Sequence, residues 1–370
     1  MNKEFILPNY DNSILNISAT LASFLGCPNN YTKLKVLEDE LKNNYKNVVY
    51  ICFDGLGIYP INKNLDNDSI LKKSICQTVL STFPSTTTNA TTSLLNIQYP
   101  LEHGWLGWSL NYPELNKNIN IFRETDSWTN EKVELTTTPL GKLNYYFNNT
   151  KSDYKVTSLF PEYVDIQNED INIIYETQNE LFENIKNICN SEGKQFIYAY
   201  YPEPDKTMHK YGVTSKEAKE IITSLSNAVE KLKDETQSTL FIISADHGQI
   251  DVEGYIDLYK DEEIMNLLEI YPYLEPRATA FKVIKGKEEE FERIFNNKYS
   301  EDFVLYKTKD LINKGYFGKT GDKGYLLGDY IAIGTYTHKI FIMTPASKQH
   351  KGHHTSLTEE MEVPLILIKN

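Results

Sequence analysis

Three short apolar runs along the chain share one design: each stops where polar, chemically loaded residues begin. Asn47 to Phe53 runs into Asp54-Gly55-Leu56-Gly57, Gln195 to Tyr200 leads within a few residues to Asp205 and His209, and Thr239 to Ser244 runs into Asp246-His247-Gly248. Continuous apolar runs of this length, rich in β-branched and aromatic residues, predict strands. Between them the period turns helical. Leu181, Phe182, Ile185 and Ile188 mark one helix; Ala218, Ile221, Ile222, Leu225, Ala228, Val229 and Leu232 mark another, with Thr214 and Glu217 as its capping box. Strands alternating with helices predict an α/β fold with a mainly parallel sheet covered on both faces, and ligands of such sheets collect beyond the carboxyl ends of the strands. The loaded residues fall there.

From about Gly254 to Gln349 the pattern changes: strand-like Ala278 to Ile284 and Phe303 to Tyr306 enclose the charged run Lys285 to Phe291. This predicts a small α+β cap at 254–349, inserted into a core made of 1–253 and 350–370 that closes with a strand at Val363 to Ile368. A chain of 370 residues has room for this division. There is no internal repeat, and low complexity is limited to the Thr-rich stretch Thr82 to Thr92.

With 40% hydrophobic and 24% charged residues the composition is that of a globular protein. A formal charge of -13 argues against a broad basic face for extended nucleic acid, so a phosphate-bearing substrate needs local cations, which bound metal ions would supply. Cys27, Cys52, Cys76 and Cys189 are scattered without paired spacing, which predicts buried free thiols rather than disulfides or a zinc ribbon. Met1 to Phe5 lacks a basic segment followed by an apolar stretch, and no later run is long enough to span a bilayer; the expected location is cytoplasmic, with no membrane partner.

Asp205 and His209 are four apart, which on a helical turn puts a carboxylate and an imidazole on one face as half a metal site; a surface helix pair has the same spacing. Asp246 and His247 at a strand end can converge on one ion while the strand holds them rigid, against the plainer reading of a helix-capping Asp beside an ordinary His. Asp54 precedes glycines that permit tight turning and close backbone approach, although a simple Asp-Gly turn would look alike. His350, His353 and His354 form a tract that a flexible surface segment would also explain. Separate strand ends each delivering a carboxylate or imidazole outweigh these single alternatives, and six ligands suffice for two ions. In Phe83-Pro84-Ser85-Thr86-Thr87-Thr88-Asn89 the proline fixes a turn and a helix can begin behind it, with amides and dipole directed at an anion; a Thr-rich capped helix start is the bland counterpart.

Taken in order, these residues resemble the type I phosphodiesterase/nucleotide pyrophosphatase family of the alkaline phosphatase superfamily. The motifs that carry the resemblance are Phe53-Asp54-Gly55, Phe83 to Thr87, His103-Gly104, Pro204-Asp205 with His209, Ala245-Asp246-His247-Gly248, and Gly352-His353-His354, followed by a family-like tail at Glu360 to Leu365. The resemblance implies an alkaline phosphatase-like core and two divalent ions, zinc or else manganese. One ion would be held by Asp54, Asp246 and His247, the other by Asp205, His209 and His354, with His353 and then His350 as alternatives to His354. Thr87 would be the nucleophile, with Thr86 and Thr88 as rivals, in hydrolysis of phosphodiester or pyrophosphate bonds through a phosphothreonine. The implied partner is a small phosphate ester, such as a nucleotide.

Two positions depart from the family pattern: Trp108 stands where an asparagine is expected, and Thr88 where an aromatic residue follows the nucleophile. Trp108, Tyr200 and Tyr201 are therefore held as candidate substrate contacts, although with 26 tyrosines in the chain a core role competes for the latter two. A phosphomonoesterase or phosphonate hydrolase of the same superfamily would use nearly the same residues. Cofactor-independent phosphoglycerate mutases would need an extra domain, and sulfatases a Cys-x-Pro-x-Arg segment that the chain lacks. A non-catalytic metal-binding relative would be expected to have lost a ligand or the nucleophile, and all are present.

Overall fold

The three apolar runs lie side by side at the centre of a seven-stranded sheet, in the order Ile75–Leu80, Glu362–Lys369, Thr239–Ser244, Asn47–Phe53, Gln195–Tyr201, Lys155–Pro161, Asn172–Tyr175. The computed structural model describes residues 4–135, 140, 145–164 and 172–370, so Met1 to Lys3 of the opening segment lie outside the described residues. Every residue of the three central strands is buried, which is why their sequences do not alternate. Asn47–Phe53 runs parallel to both neighbours, with Cys52 opposite Ser244 and Phe53 opposite Tyr201. That register brings out Asp54 and Asp246 side by side. The closing strand Glu362–Lys369 is antiparallel to its neighbours, so the sheet is mainly parallel, as expected.

Helix Gln178–Cys189 packs Leu181, Phe182 and Ile185 inward, and helix Lys216–Asp234 buries Ala218, Ile222, Leu225, Val229 and Leu232; each such Leu or Ile stabilises by about 1.5–3 kcal/mol. The second helix starts one residue later than its expected capping box. Ser215, not Thr214, accepts from the Ala218 amide at 3.1 Å, and the Thr214 amide, which a capping box would pair with Glu217, goes to Asp251 Oδ1 at 3.3 Å.

A second, antiparallel seven-stranded sheet has the order Phe303–Lys307, Tyr330–Gly334, Ala278–Val283, Leu268–Glu275, Ser109–Tyr112, Lys117–Asn120, Thr125–Asp126. Four of these strands lie within 254–349; the other three come from 109–126, ahead of the expected insertion, and join where Leu274 pairs with Ser109. No disulfide joins the four cysteines; Cys52 and Cys189 are buried, but Cys76 is exposed on the edge strand Ile75–Leu80, and Cys27 is half-buried. Among the described residues, no helix is long and apolar enough to cross a membrane.

Candidate active site

The carboxyl ends of the three central strands deliver the candidate ligands. Asp54 follows Phe53 directly, Asp246 follows Ser244 by two, and Asp205 opens the short helix Asp205–Tyr211, which places His209 one turn on. Gly55, at φ +75, makes the turn behind Asp54, where a Cβ would come within 3.1 Å of Asp205 Cβ. A two-residue ladder, with Ile250 opposite His353 and Asp251 opposite Gly352, draws the late histidine loop against the loop of Asp246.

Two groups result, Asp54 with Asp246 and His247, and Asp205 with His209 and His354, each with donor atoms within 4.8 Å of one another. His247 Nε2 lies 3.4 Å from Asp54 Oδ1 and 3.5 Å from Asp246 Oδ2. Around Asp205 Oδ1, His209 Nε2 lies at 3.4 Å and His354 Nε2 at 3.9 Å. The groups adjoin, with the His247 and His354 rings 3.9 Å apart at their centroids.

Each of these histidines faces a backbone carbonyl with Nδ1: His247 that of Gly248 at 2.9 Å, His209 that of Gly352 at 2.8 Å, His354 that of Ser85 at 2.9 Å. A carbonyl only accepts, so Nδ1 carries the proton and Nε2 presents its lone pair to the group. This is how metal-ligating histidines are oriented. Asp246 Oδ2, buried, has no hydrogen-bond partner, and burial together with the charges of Asp246 and Asp205 pushes Asp54 well above the usual carboxylate range. Buried carboxylates in mutual repulsion with an orphaned oxygen among them are what a divalent cation relieves, so the residues present fit metal binding.

Thr87 is the first residue of helix Thr87–Asn96, whose Ala90, Leu94 and Leu95 are buried and whose N-cap is Thr86. Its Oγ1 lies 3.2 Å from His247 Nε2 and 3.5 Å from each Asp54 oxygen. The neighbouring hydroxyls point elsewhere. Thr86 bonds to the Glu275 carboxyl, and Thr88 Oγ1 is buried without a partner. His103 is buried and serves the same helix: its Nε2 is 2.9 Å from Ser93 Oγ while Nδ1 accepts from the Trp105 amide, and burial lowers it to about 3.

His350 and His353 flank His209, with ring centroids 4.4 Å and 5.2 Å away, but neither belongs to a group; His353 Nδ1 accepts from the His354 amide of its own loop. Tyr200 is buried and its hydroxyl donates to Asp54 Oδ2, while Tyr201 packs edge-on against Phe53. Trp108 donates its amide to Glu275 Oε1 at 2.7 Å and carries the Arg123 guanidinium 5.4 Å from its ring.

Sequence reasoning missed several neighbours. Tyr163 lies near the groups: partial burial first, and then the charges of Asp54 and Asp205, raise its hydroxyl, and Lys206 Nζ sits 4.2 Å from its ring; its place just beyond the strand Lys155–Pro161 was the available signal. Gln249 donates to Asp205, and the signal was its position directly after Asp246-His247-Gly248. Arg277 and Glu360, a fully buried ion pair, carry no local signal at all.

Fold and site together define an α/β protein with two adjoining groups of candidate metal ligands at the carboxyl ends of its central strands. More particularly, the chain belongs to the type I phosphodiesterase/nucleotide pyrophosphatase family, whose pattern matches residues 48–356. Ectonucleotide pyrophosphatase/phosphodiesterase family member 7 of Rattus norvegicus is 31% identical over 87 residues, 21% of this chain, and the match spans about a fifth (20%) of that relative's length. Murine ectonucleotide pyrophosphatase/phosphodiesterase 5 superposes with a TM-score of 0.64 at 15% identity, over 86% of this chain and 87% of that one. An inactive variant of the murine protein, with alanine for a threonine, was solved with AMP and superposes at 0.63 with 14% identity, covering 86% and 87%. Phosphonoacetate hydrolase from Sinorhizobium meliloti 1021, solved with phosphonoformate, gives 0.59 at 13% identity over 86% of this chain and 89% of that one. These likenesses establish the fold as alkaline phosphatase-like.

Proposed function

We propose that the protein cleaves phosphodiester or pyrophosphate bonds of a small ester, such as a nucleotide, with Thr87 as the nucleophile and a phosphothreonine as intermediate. The observation that carries this reading is the position of the Thr87 hydroxyl, 3.2 Å from His247 Nε2 and 3.5 Å from both Asp54 oxygens at the start of a ten-residue helix. Asp54, Asp246 and His247 would hold one ion and Asp205, His209 and His354 the other. The mixed nitrogen and oxygen donors suit zinc, with manganese as the alternative. When bound, the two ions supply charge stabilisation for the attacking and the leaving oxygen of an in-line displacement.

The chain's own residues do the rest. Thr87 Oγ1 passes its proton to solvent and forms a bond to phosphorus as the bond to the leaving alcohol or phosphate breaks, the leaving oxygen taking the electron pair and, where it needs one, a proton from solvent. Water then attacks phosphorus from the opposite side, losing a proton to solvent, and Oγ1 departs with its electron pair and takes a proton back from solvent. The free amides and dipole at the start of the helix favour the anionic phosphoryl group held there. Tyr200, through Asp54, and the carbonyls behind each imidazole keep the ligand atoms in place before substrate arrives. Tyr163 and Lys206, an aromatic face and a cation beside the carboxylates, suit a substrate with a flat or anionic leaving group.

Phosphonate or phosphomonoester hydrolysis is the second reading, favoured by the likeness to the Sinorhizobium hydrolase and by Trp108 where the family's asparagine is expected. Turnover of bis-p-nitrophenyl phosphate and p-nitrophenyl phosphate by the wild type and Thr87→Ala separates them. Faster diester turnover is expected, falling by about 10³-fold or more in the variant with both ions retained. Equal or greater monoester turnover would overturn the substrate class, and an active Thr87→Ala would remove the nucleophile.

A further inference from the structure

Outside the two groups one side chain ties them together. Gln249 follows Asp246 by three residues, on the loop that carries most of the first group, and is fully buried. Its Nε2 donates to Asp205 Oδ1 in a short contact and to the Asp205 carbonyl at 3.2 Å, gripping a member of the second group by side chain and main chain at once. The oxygen it takes is the one His209 and His354 face with Nε2 at 3.4 Å and 3.9 Å. The other end of the amide, Oε1, is buried without a hydrogen-bond partner and lies against Gly352, where a Cβ would come within 2.6 Å of it. Gly352 is also the residue whose carbonyl holds His209. A buried amide with one end unpaired is unfavourable for the fold alone, so packing does not account for a glutamine here.

We infer that Gln249 is a positioning residue for the second ion, holding Asp205 Oδ1 toward the imidazoles and making the geometry of that group depend on the loop that bears the first. The inference rests on the two-ion reading given above. A carboxylate left alone can rotate either oxygen into the group. One that accepts an amide hydrogen on Oδ1 keeps further lone pairs on that atom for an ion and loses the freedom to turn. Because Gln249 and Asp246 share one short loop, displacement of the first group would carry over to the second.

Gln249→Met removes the donor while keeping the length of the side chain. The full-length chain, stripped of metal, is titrated with Zn²⁺ against a competing chelator and in parallel with Co²⁺, whose absorption reports each coordination sphere. Asp205→Asn, expected to keep only the first site, identifies which constant is which. In Gln249→Met the first constant should stay within about twofold and the second weaken by about 10- to 100-fold, with an altered Co²⁺ spectrum for the second site alone. If methionine does not fit, Gln249→Ala is read the same way. Both constants unchanged, or both weakened alike, would overturn the inference and leave the two-ion reading standing. A wild type that binds fewer than two ions would overturn both.

Discussion

His354 donates from Nδ1 to the main-chain carbonyl of Ser85 at 2.9 Å, two residues before Thr87. The same serine receives the Thr355 amide at 3.2 Å on its hydroxyl, which in turn lies 3.3 Å from the Ser356 carbonyl. The last imidazole and the turn presenting the attacking hydroxyl are thus one hydrogen-bonded unit, so the spacing between Thr87 and the second group is set by the chain itself.

Replacing His354 tests which histidine completes that group. His354→Ala should reduce bound metal from two ions to one and slow diester turnover by about 100-fold or more, because the charge on the leaving oxygen would go unstabilised. His353→Ala and His350→Ala should keep both ions, since neither joins a group of converging donors. Metal content by mass spectrometry beside turnover decides it; loss of an ion in His353→Ala alone would transfer the assignment.

Removing metal should also show as lost stability. Asp54 and Asp246 are buried and press on each other, and an ion that binds only the folded chain adds about 2.7 kcal/mol at a hundredfold excess over its Kd. Chelation should therefore lower Tm, Zn²⁺ should restore it, and the shift should grow with the logarithm of free metal. A Tm indifferent to chelator would argue against any ion in these groups.

What the sequence disclosed and what it hid divide along physical lines. Asp54, Asp205 and Asp246 were legible because a buried strand is a local pattern and its carboxyl end is a rule of the fold, so the chemistry is written beside the strand that positions it. The second sheet was only half legible, because the pairing of Leu274 with Ser109 joins segments far apart and antiparallel strands leave no local sign of their partners. That the Tyr200 hydroxyl turns to Asp54 has no local sign, because the direction of an aromatic side chain at a strand end is fixed by neighbours that the sequence does not place. Glu275, Arg277 and Glu360 look like surface charges until their partners are known.

Arg277 and Glu360 lead to a stability prediction. Both side chains are fully buried, joined through Nε and Oε1 at 3.2 Å; Arg277 also donates to the carbonyls of Lys339 and Thr335 and to Thr358 Oγ1. Glu360 receives the Ser356 amide on its side chain and the Gly248 amide on its carbonyl, at 3.0 Å and 2.7 Å, and so supports both histidine loops. Arg277→Met should destabilise by about 3–5 kcal/mol by stranding a buried carboxylate, and adding Glu360→Met should recover most of that. Urea denaturation of the two variants measures it; a double variant no better than the single would show that the arginine acts through its other bonds.

Glu275 gives the pH dependence. It sits at the end of strand Leu268–Glu275, buried, with the Trp108 amide on Oε1 at 2.7 Å and the Thr86 hydroxyl beside it, and burial pushes its carboxyl up to about 8. The unfolded chain would release this proton near the ordinary value of 4.5. Between those values the folded chain binds the extra proton, so the contribution is fully present below about pH 4.5, falls as pH rises, and is gone once pH passes about 8. The slope approaches about 1.4 kcal/mol per pH unit at its steepest. Glu275→Gln copies the neutral form, with one oxygen for the Trp108 amide and an NH₂ for Thr86, and does not titrate. Its Tm relative to wild type should therefore climb from about pH 5 to about pH 8 and level off above, in metal-free protein, so that the ion sites do not contribute. A constant difference across that range would mean that Glu275 is already ionised in the folded chain.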